Sequence, residues 1–156
     1  MNNQLAAVLQ ARLSEICSAA ARQIFEDKNQ FPAYSAISFE TLCGQLKNSF
    51  DAVIASIDAN SNRVMVNYLD KVVTERLRSG VSATEIMRVY DVCHKTMLKE
   101  VIASNPEYKL LNDSARQKLN YLNKILRVRL VAKNSEISEE EQSLENPSSS
   151  PPEAGL

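Results

Sequence analysis

His94 is the only histidine in this sequence of 156 residues, and it has the widest chemical repertoire of any side chain present. A metal site built from several histidines is therefore excluded. On a helical projection His94 falls at the edge of an apolar face, where a partly buried, hydrogen-bonded histidine is the common outcome. Two functional alternatives stay open, a phosphoacceptor and an axial haem ligand. The H-x-x-K-G context expected of such a phosphoacceptor is replaced here by H-K-T-M-L-K.

Paired carboxylates are the second group with catalytic potential. Asp70, Glu75, Asp91 and Glu100 have the residue type that acid–base catalysis uses. Their spacing is that of ordinary solvated helical faces, and no nucleophile, phosphate-binding loop or set of oxyanion donors accompanies them. We therefore predict that the protein is not an enzyme.

The cysteines give no sign of a disulfide framework or a metal site. Cys17, Cys43 and Cys93 are odd in number and widely separated, so no C-x-x-C redox or zinc motif is present. Each is embedded in an apolar helical pattern, which favours small buried hydrophobic side chains. We predict no cofactor and no metal.

Basic residues are concentrated between Ser114 and Lys133, where six occur without an acidic residue, whereas residues 134–156 contain six glutamates and no basic residue. A basic surface attracts nucleic acid, an anionic membrane or an acidic protein patch. Without interleaved aromatic residues or a helix-turn-helix signature, we expect protein partners and no specific nucleic acid. The candidate partner-binding residues are Arg88, Arg116, Lys124, Arg127 and Arg129.

The elements that must position these residues are helices. Apolar residues at helical spacing predict five of them, at about 3–27, 39–58, 61–79, 83–104 and 114–133. Only three glycines and five prolines occur, which argues against a turn-rich β architecture. We predict an all-α protein in which residues 1–133 form a single, mostly antiparallel five-helix bundle, with globin-like packing as a variant. Residues 134–156 have little to bury and are predicted to be a disordered acidic tail.

The turn before the fourth helix carries the clearest local signals. Gly80 suits the left-handed position that ends a helix, and Ser82 with Glu85 forms an S-x-x-E capping box that begins the next. The surrounding run R-L-R-S-G-V-S-A-T-E-I-M-R-V-Y-D-V-C-H-K-T-M, residues 76–97, resembles the RsbRD-type N-terminal domain of stressosome RsbR-like proteins and PucR-like regulators. A looser resemblance extends over residues 31–101.

This resemblance implies a helical sensory domain of a bacterial signal-transduction pathway. Such a domain is non-catalytic and acts through protein–protein contacts, and we expect a homodimer because the third and fifth helices have apolar residues on several faces. A histidine phosphotransfer component with His94 as phosphoacceptor is the alternative, and a haem or small-ligand sensor is a further one. No run of eighteen apolar residues and no signal-peptide pattern occurs, so we expect a cytoplasmic protein without a transmembrane segment.

Overall fold

The computed structural model describes residues 2–145, with side chains from Gln4 onward. This part of the chain is all-helical, with six α-helices and one 3₁₀ turn, Tyr34–Ala36, which confirms the predicted fold class. The helices are α1 (Asn2–Ala11), α2 (Leu13–Glu26), α3 (Phe39–Asp58), α4 (Arg63–Arg78), α5 (Ala83–Ser104) and α6 (Lys109–Glu145). None of them is both long and apolar enough to cross a lipid bilayer.

The predicted first helix is divided at Arg12, which is why the structure has one helix more than the prediction. Arg12 has φ −103° and ψ 9°, outside α-helical values. Its guanidinium donates a hydrogen bond from Nη2 to Oε2 of Glu100 on α5, at 2.8 Å. The break allows α1 and α2 each to pack against both α3 and α5.

The helices pack in a closed cycle around one core. α2 contacts α3, α3 contacts α4, α4 contacts α6, α6 contacts α5, and α5 contacts α2. α1 packs on α3, α5 and α6. Every helix contributes a side chain that is at most 1% exposed, for example Leu5, Ile24, Leu42, Met65, Ile86 and Leu119.

The turn between α4 and α5 has the caps that its sequence predicts. Gly80 adopts a φ of +99°, in the left-handed region that glycine enters without steric cost. The N–H groups of Gly80 and Val81 donate to carbonyls in the last turn of α4 at 3.1 and 3.0 Å, the paired bonds of a Schellman motif. Ser82 then caps α5, because its Oγ accepts from the N–H of Glu85 at 3.1 Å. These bonds fix the direction in which α5 leaves the turn.

α4 carries two neighbouring apolar rows, and only one of them is fully buried in the core. Val64 is 46% exposed, whereas Met65 is fully buried. Leu69, Val73 and Leu77 continue the buried row from Met65. A second row of apolar residues begins at Val64 with the same spacing, so periodicity alone does not decide which row faces the core.

The end of α6 is the largest departure from the predicted architecture. Residues 134–145 were predicted to be a disordered tail, but they continue the helix. Ile137 is 6% exposed and belongs to the same core cluster as Leu130. Beyond it, Arg78 of α4 donates a hydrogen bond to Glu140 at 3.2 Å. Composition suggested disorder because it overlooks one apolar residue at helical spacing; residues 146–156 of the predicted tail lie outside the described part.

We predict that residues 134–145 of α6 stabilise the bundle through Ile137. Replacing Ile137 with alanine should lower the free energy of unfolding by about 2 kcal/mol, the low end for this substitution in a core. The neighbouring exposed Ser138→Ala variant should change it by less than about 0.5 kcal/mol. Urea denaturation followed by circular dichroism measures both. Equal midpoints for the two variants would show that this end of α6 adds nothing to stability.

Candidate functional site

A cavity of about 60 Å³ lies in the core between α3, α4, α5 and α6. Most of its lining is apolar and comes from all four helices, with Phe50, Leu69, Val89, Met97 and Leu122 among the contributors. Polar side chains also reach the lining: Tyr34, Gln45, Ser49, Arg76, Tyr90, His94 and Asn123. A mostly apolar cavity with a few convergent polar groups is the usual form of a small-molecule site.

Three side chains of this lining carry a buried polar atom that has no hydrogen-bond partner. The atoms are Oε1 of Gln45, Nε of Arg76 and Nε2 of His94. Only five such atoms occur in the part of the chain that the structure describes. Because native proteins leave few buried polar groups unsatisfied, their concentration around one cavity makes this cavity the candidate site.

Arg76 is the charged member of the lining. Its Cζ lies 5.2 Å from the centroid of the Tyr34 ring, a cation–π geometry. Within residues 2–145 its guanidinium forms no ion pair. Burial raises the pKa of Tyr34 to about 12, so its hydroxyl is neutral at physiological pH and adds no negative charge beside Arg76.

The position of Tyr34 depends on a buried carboxylate. Glu85 is 3% exposed, and its Oε2 accepts hydrogen bonds from the backbone N–H groups of Ala33 at 2.8 Å and Tyr34 at 2.9 Å. The predicted capping box is therefore half right: Ser82 caps Glu85, but the Glu85 side chain reaches the 3₁₀ turn instead of the N-terminus of its own helix. The carboxylate joins α5 to the segment that carries Tyr34.

A second pocket, of about 180 Å³, adjoins the core cavity. The two spaces share Tyr34, Gln45 and Arg76, which line both. The remaining walls of this outer pocket come from Ala33, Ile37, Ser79 and Val81. The three shared residues, called here the neck, lie where the outer pocket and the apolar core cavity meet.

His94 is half-buried, in agreement with its predicted place at the edge of the core. Less than 1 Å² of its Nε2 is exposed to solvent. A phosphoryl donor must reach the nitrogen that it modifies, so this geometry does not favour phosphorylation of His94 at Nε2. The cavity, of about 60 Å³, is also far smaller than a haem group, which does not favour a haem sensor.

Two of the predicted partner-binding arginines form ion pairs within the chain. Arg127 donates from Nη1 to Asp91 on α5 at 2.7 Å. Arg129 binds Asp70 on α4 through Nε at 2.8 Å and through Nη2. These ion pairs tie α6 to its two neighbours, and they neutralise charge that the sequence appeared to leave uncompensated.

The other three predicted residues lie elsewhere on the surface. Arg88 is exposed and makes one long contact, of 3.5 Å, with the carbonyl of Gln30. Arg116 and Lys124 are exposed and form no ion pair with any residue of the described chain. None of the five candidates lines the core cavity.

Sequence reasoning missed Gln45 and Arg76 as site residues. Arg76 lies in the last turn of α4, where a basic residue is also favoured by the helix dipole, so its position alone does not indicate a site. A signal for Arg76 was present, since it continues the apolar row of Leu69 and Val72 at helical spacing. A cation in such a row is a better indicator of a site than one on a polar face.

The thiols of the site region are poorly suited to nucleophilic chemistry. Burial raises the pKa of Cys93, which lines the cavity, to about 12, and that of Cys17 to about 11. Both are protonated at physiological pH, and a thiol is a weak nucleophile in that form. Among the described residues, no three His, Cys, Asp or Glu side chains are grouped so as to hold a metal ion.

No protein-family model, curated protein or solved structure matches this chain. The resemblance to RsbRD-type domains therefore stays a prediction from the quoted residues. Function has to be argued from the cavity, the charges and the surface of this bundle.

We predict that Glu85 is a principal determinant of stability near the site. Glu85→Ala would leave two backbone N–H groups without their acceptor and should lower the free energy of unfolding by about 3 kcal/mol. Glu85→Gln keeps a neutral acceptor and should cost less. Glu75→Ala, at an exposed position of α4, is the control and should be nearly neutral. Urea midpoints measure the stability of the three variants. If Glu75→Ala and Glu85→Ala lose the same stability, the role of Glu85 as a buried acceptor is contradicted.

The raised pKa of the partly buried Cys93 thiol predicts a loss of stability at alkaline pH. Its pKa is raised from 9.0 to about 12, so the unfolded chain releases this proton first as the pH increases. The free energy of unfolding should then fall above about pH 9, by up to about 1.4 kcal/mol per pH unit from this group. Cys93→Ala removes this contribution. In urea unfolding, the free energy of the wild type minus that of Cys93→Ala should therefore decrease as the pH rises. If the two proteins lose stability in parallel, the raised pKa of Cys93 is contradicted.

Proposed function

We propose that this chain is a non-catalytic regulatory domain of a signal-transduction pathway, and that it works through protein–protein contacts beginning with a second copy of itself. The observation that carries the proposal is an exposed row on α6, called here the α6 stripe: Tyr121, Lys124, Val128 and Val131. The three apolar members are 54%, 61% and 57% exposed. The opposite face of the same helix is buried in the core through Leu119, Leu122, Leu126 and Leu130.

The spacing of the α6 stripe is that of a helix–helix interface. Its members are separated by three, four and three residues, the alternation that forms the a and d seam of a coiled coil. Single exposed apolar side chains are common on protein surfaces, but a row at this spacing is not random scatter. The stripe is suited to pack against another helix.

The charges along α6 favour a second α6 in antiparallel orientation. Residues 116–133 carry six basic side chains and no acidic one, whereas residues 136–145 carry five glutamates and no basic one. In an antiparallel two-fold pair whose axis lies near residue 134, at the C-terminal end of the stripe, the end of each basic segment faces the acidic segment of the other copy. Asp70 and Asp91 neutralise only part of the basic segment within the chain.

Two further observations support a regulatory role over a catalytic one. The resemblance of residues 76–97 to RsbRD-type N-terminal domains associates this fold with bacterial signalling proteins. The raised pKa values of Cys17 and Cys93 and the enclosed Nε2 of His94 leave these nucleophiles unreactive or difficult to reach. The phosphotransfer alternative would require His94 to turn outward.

The α6 stripe predicts a dimer that one substitution weakens. Sedimentation equilibrium at tens of micromolar should show a dimer for the wild type, and Val128→Lys should raise the dissociation constant by at least about tenfold because it buries a charge in the seam. Val64→Lys is the matched control, since Val64 is an exposed valine, at 46%, on α4. Higher ionic strength should also weaken the wild-type dimer.

Two results would contradict this proposal. One is a wild type that sediments only as a monomer over this concentration range. The other is a dimer that Val128→Lys and Val64→Lys weaken equally, because the contact would then not lie on α6.

A further inference from the structure

We infer that the core cavity and its neck bind a small organic acid, with the hydrocarbon part in the cavity and the carboxylate on Arg76. This site is separate from the α6 stripe, and the inference does not depend on the proposed dimer. It rests on the missing partners of the neck residues, on the charge of Arg76 and on the apolar lining behind it.

The ligand is an anion because no ion pair joins Arg76 to a carboxylate within the described chain. A guanidinium stays protonated under all physiological conditions, and the Nε of Arg76 is buried without an acceptor. Glu85 does not neutralise it: its Oε2 accepts the two backbone N–H groups of the 3₁₀ turn, and no ion pair joins it to Arg76. A carboxylate would supply both the missing charge and the missing hydrogen-bond acceptor for Nε.

The other polar atoms of the site are compatible with a carboxylate. Tyr34 stacks on Arg76 and is neutral, so it does not repel an anion. Oε1 of Gln45 has no partner, and a rotation of the side-chain amide would present its NH₂ group instead. Nε2 of His94 is a donor in the tautomer that carries the proton there. Every unpartnered group around the cavity therefore has a donor form.

The shape of the site limits the remainder of the ligand. The outer pocket, of about 180 Å³, adjoins the cavity of about 60 Å³ at Tyr34, Gln45 and Arg76. A molecule that enters through the outer pocket leaves its carboxylate at this polar neck, while its chain meets Phe50 and Met97 in the core cavity. The inner volume is less than half of the about 150 Å³ that holds a benzene ring, so it takes only the end of a short chain, and the rest of the chain lies between the neck residues. An inorganic anion would leave that apolar space unfilled.

The test uses the full chain and three probes of equal chain length: hexanoate, hexanol and hexylammonium, with inorganic phosphate as a fourth. Binding is measured by calorimetry and by the NMR signals of the methionine methyl groups. Met97 lines the cavity, whereas Met65 is fully buried outside it, so the two methyl groups separate cavity binding from a general effect. Hexanoate should shift the Met97 signal saturably and bind at least about tenfold more tightly than hexanol.

Two variants assign the charge preference to one residue. Arg76→Gln should lower hexanoate affinity at least about tenfold, to that of hexanol. Lys71→Gln is the control, since Lys71 is an exposed cation on the same helix and should leave hexanoate binding unchanged. Should Arg76→Gln fail to fold, the comparison of hexanoate with hexanol and hexylammonium on the wild type still decides the question.

Four results would overturn the inference. The first is no saturable shift of Met97, which would mean that the cavity holds water only. The second is equal affinity for hexanoate and hexanol. The third is hexanoate binding that survives Arg76→Gln, and the fourth is phosphate binding as tight as that of hexanoate.

Discussion

The buried carboxylate of Glu85 is the contact on which the architecture around the cavity depends. A charge with 3% exposure is tolerated only when hydrogen bonds compensate it, and here two backbone N–H groups of the segment between α2 and α3 do so. The bond pair places Tyr34 beside Arg76, and both side chains line the core cavity and the outer pocket. A local helix-capping residue has thus become a long-range link between elements about fifty positions apart in the sequence.

Ion pairs on the outside of the bundle act on the same helices. Arg127 and Arg129 tie α6 to α5 and α4, and Arg12 ties the junction of α1 and α2 to α5. Each pair is partly exposed and contributes little to stability by itself. Arg127 and Arg129 flank the buried leucine row of α6, so their ion pairs favour the same orientation of this helix as the core contacts do.

The sequence predicts the fold class, the limits of α3 and α5 and the caps at Gly80 and Ser82, because these depend on local chemistry and strong periodicity. The predictions are wrong where residues distant in the sequence determine the local structure. The break at Arg12 has no proline or glycine to announce it, and a bond to α5 accompanies it. The two apolar rows on α4 have the same spacing, and only the packing of the neighbouring helices determines which row is buried.

The same limitation applies to the candidate site. His94 was recognised as a core-edge residue from its own helix, but Gln45 and Arg76 become site residues only when α3 and α4 meet around one cavity. Residues 134–145 appeared unable to fold because composition was averaged over the whole segment. Ile137 alone supplies the apolar contact that lets the helix continue.

One face of α6 lines the cavity and the opposite face is exposed, and this arrangement has a thermodynamic consequence. Leu119, Leu122 and Leu126 line the cavity from one side of the helix, while Tyr121 and Val128 lie exposed on the other. A single helix therefore separates the cavity from the surface that a partner would contact. Any occupant that changes the position of this helix changes the free energy of association on its far side, and linkage requires association to change the affinity of the cavity by the same factor. In that arrangement the helix itself is the coupling element, without a hinge or a separate transmitting domain.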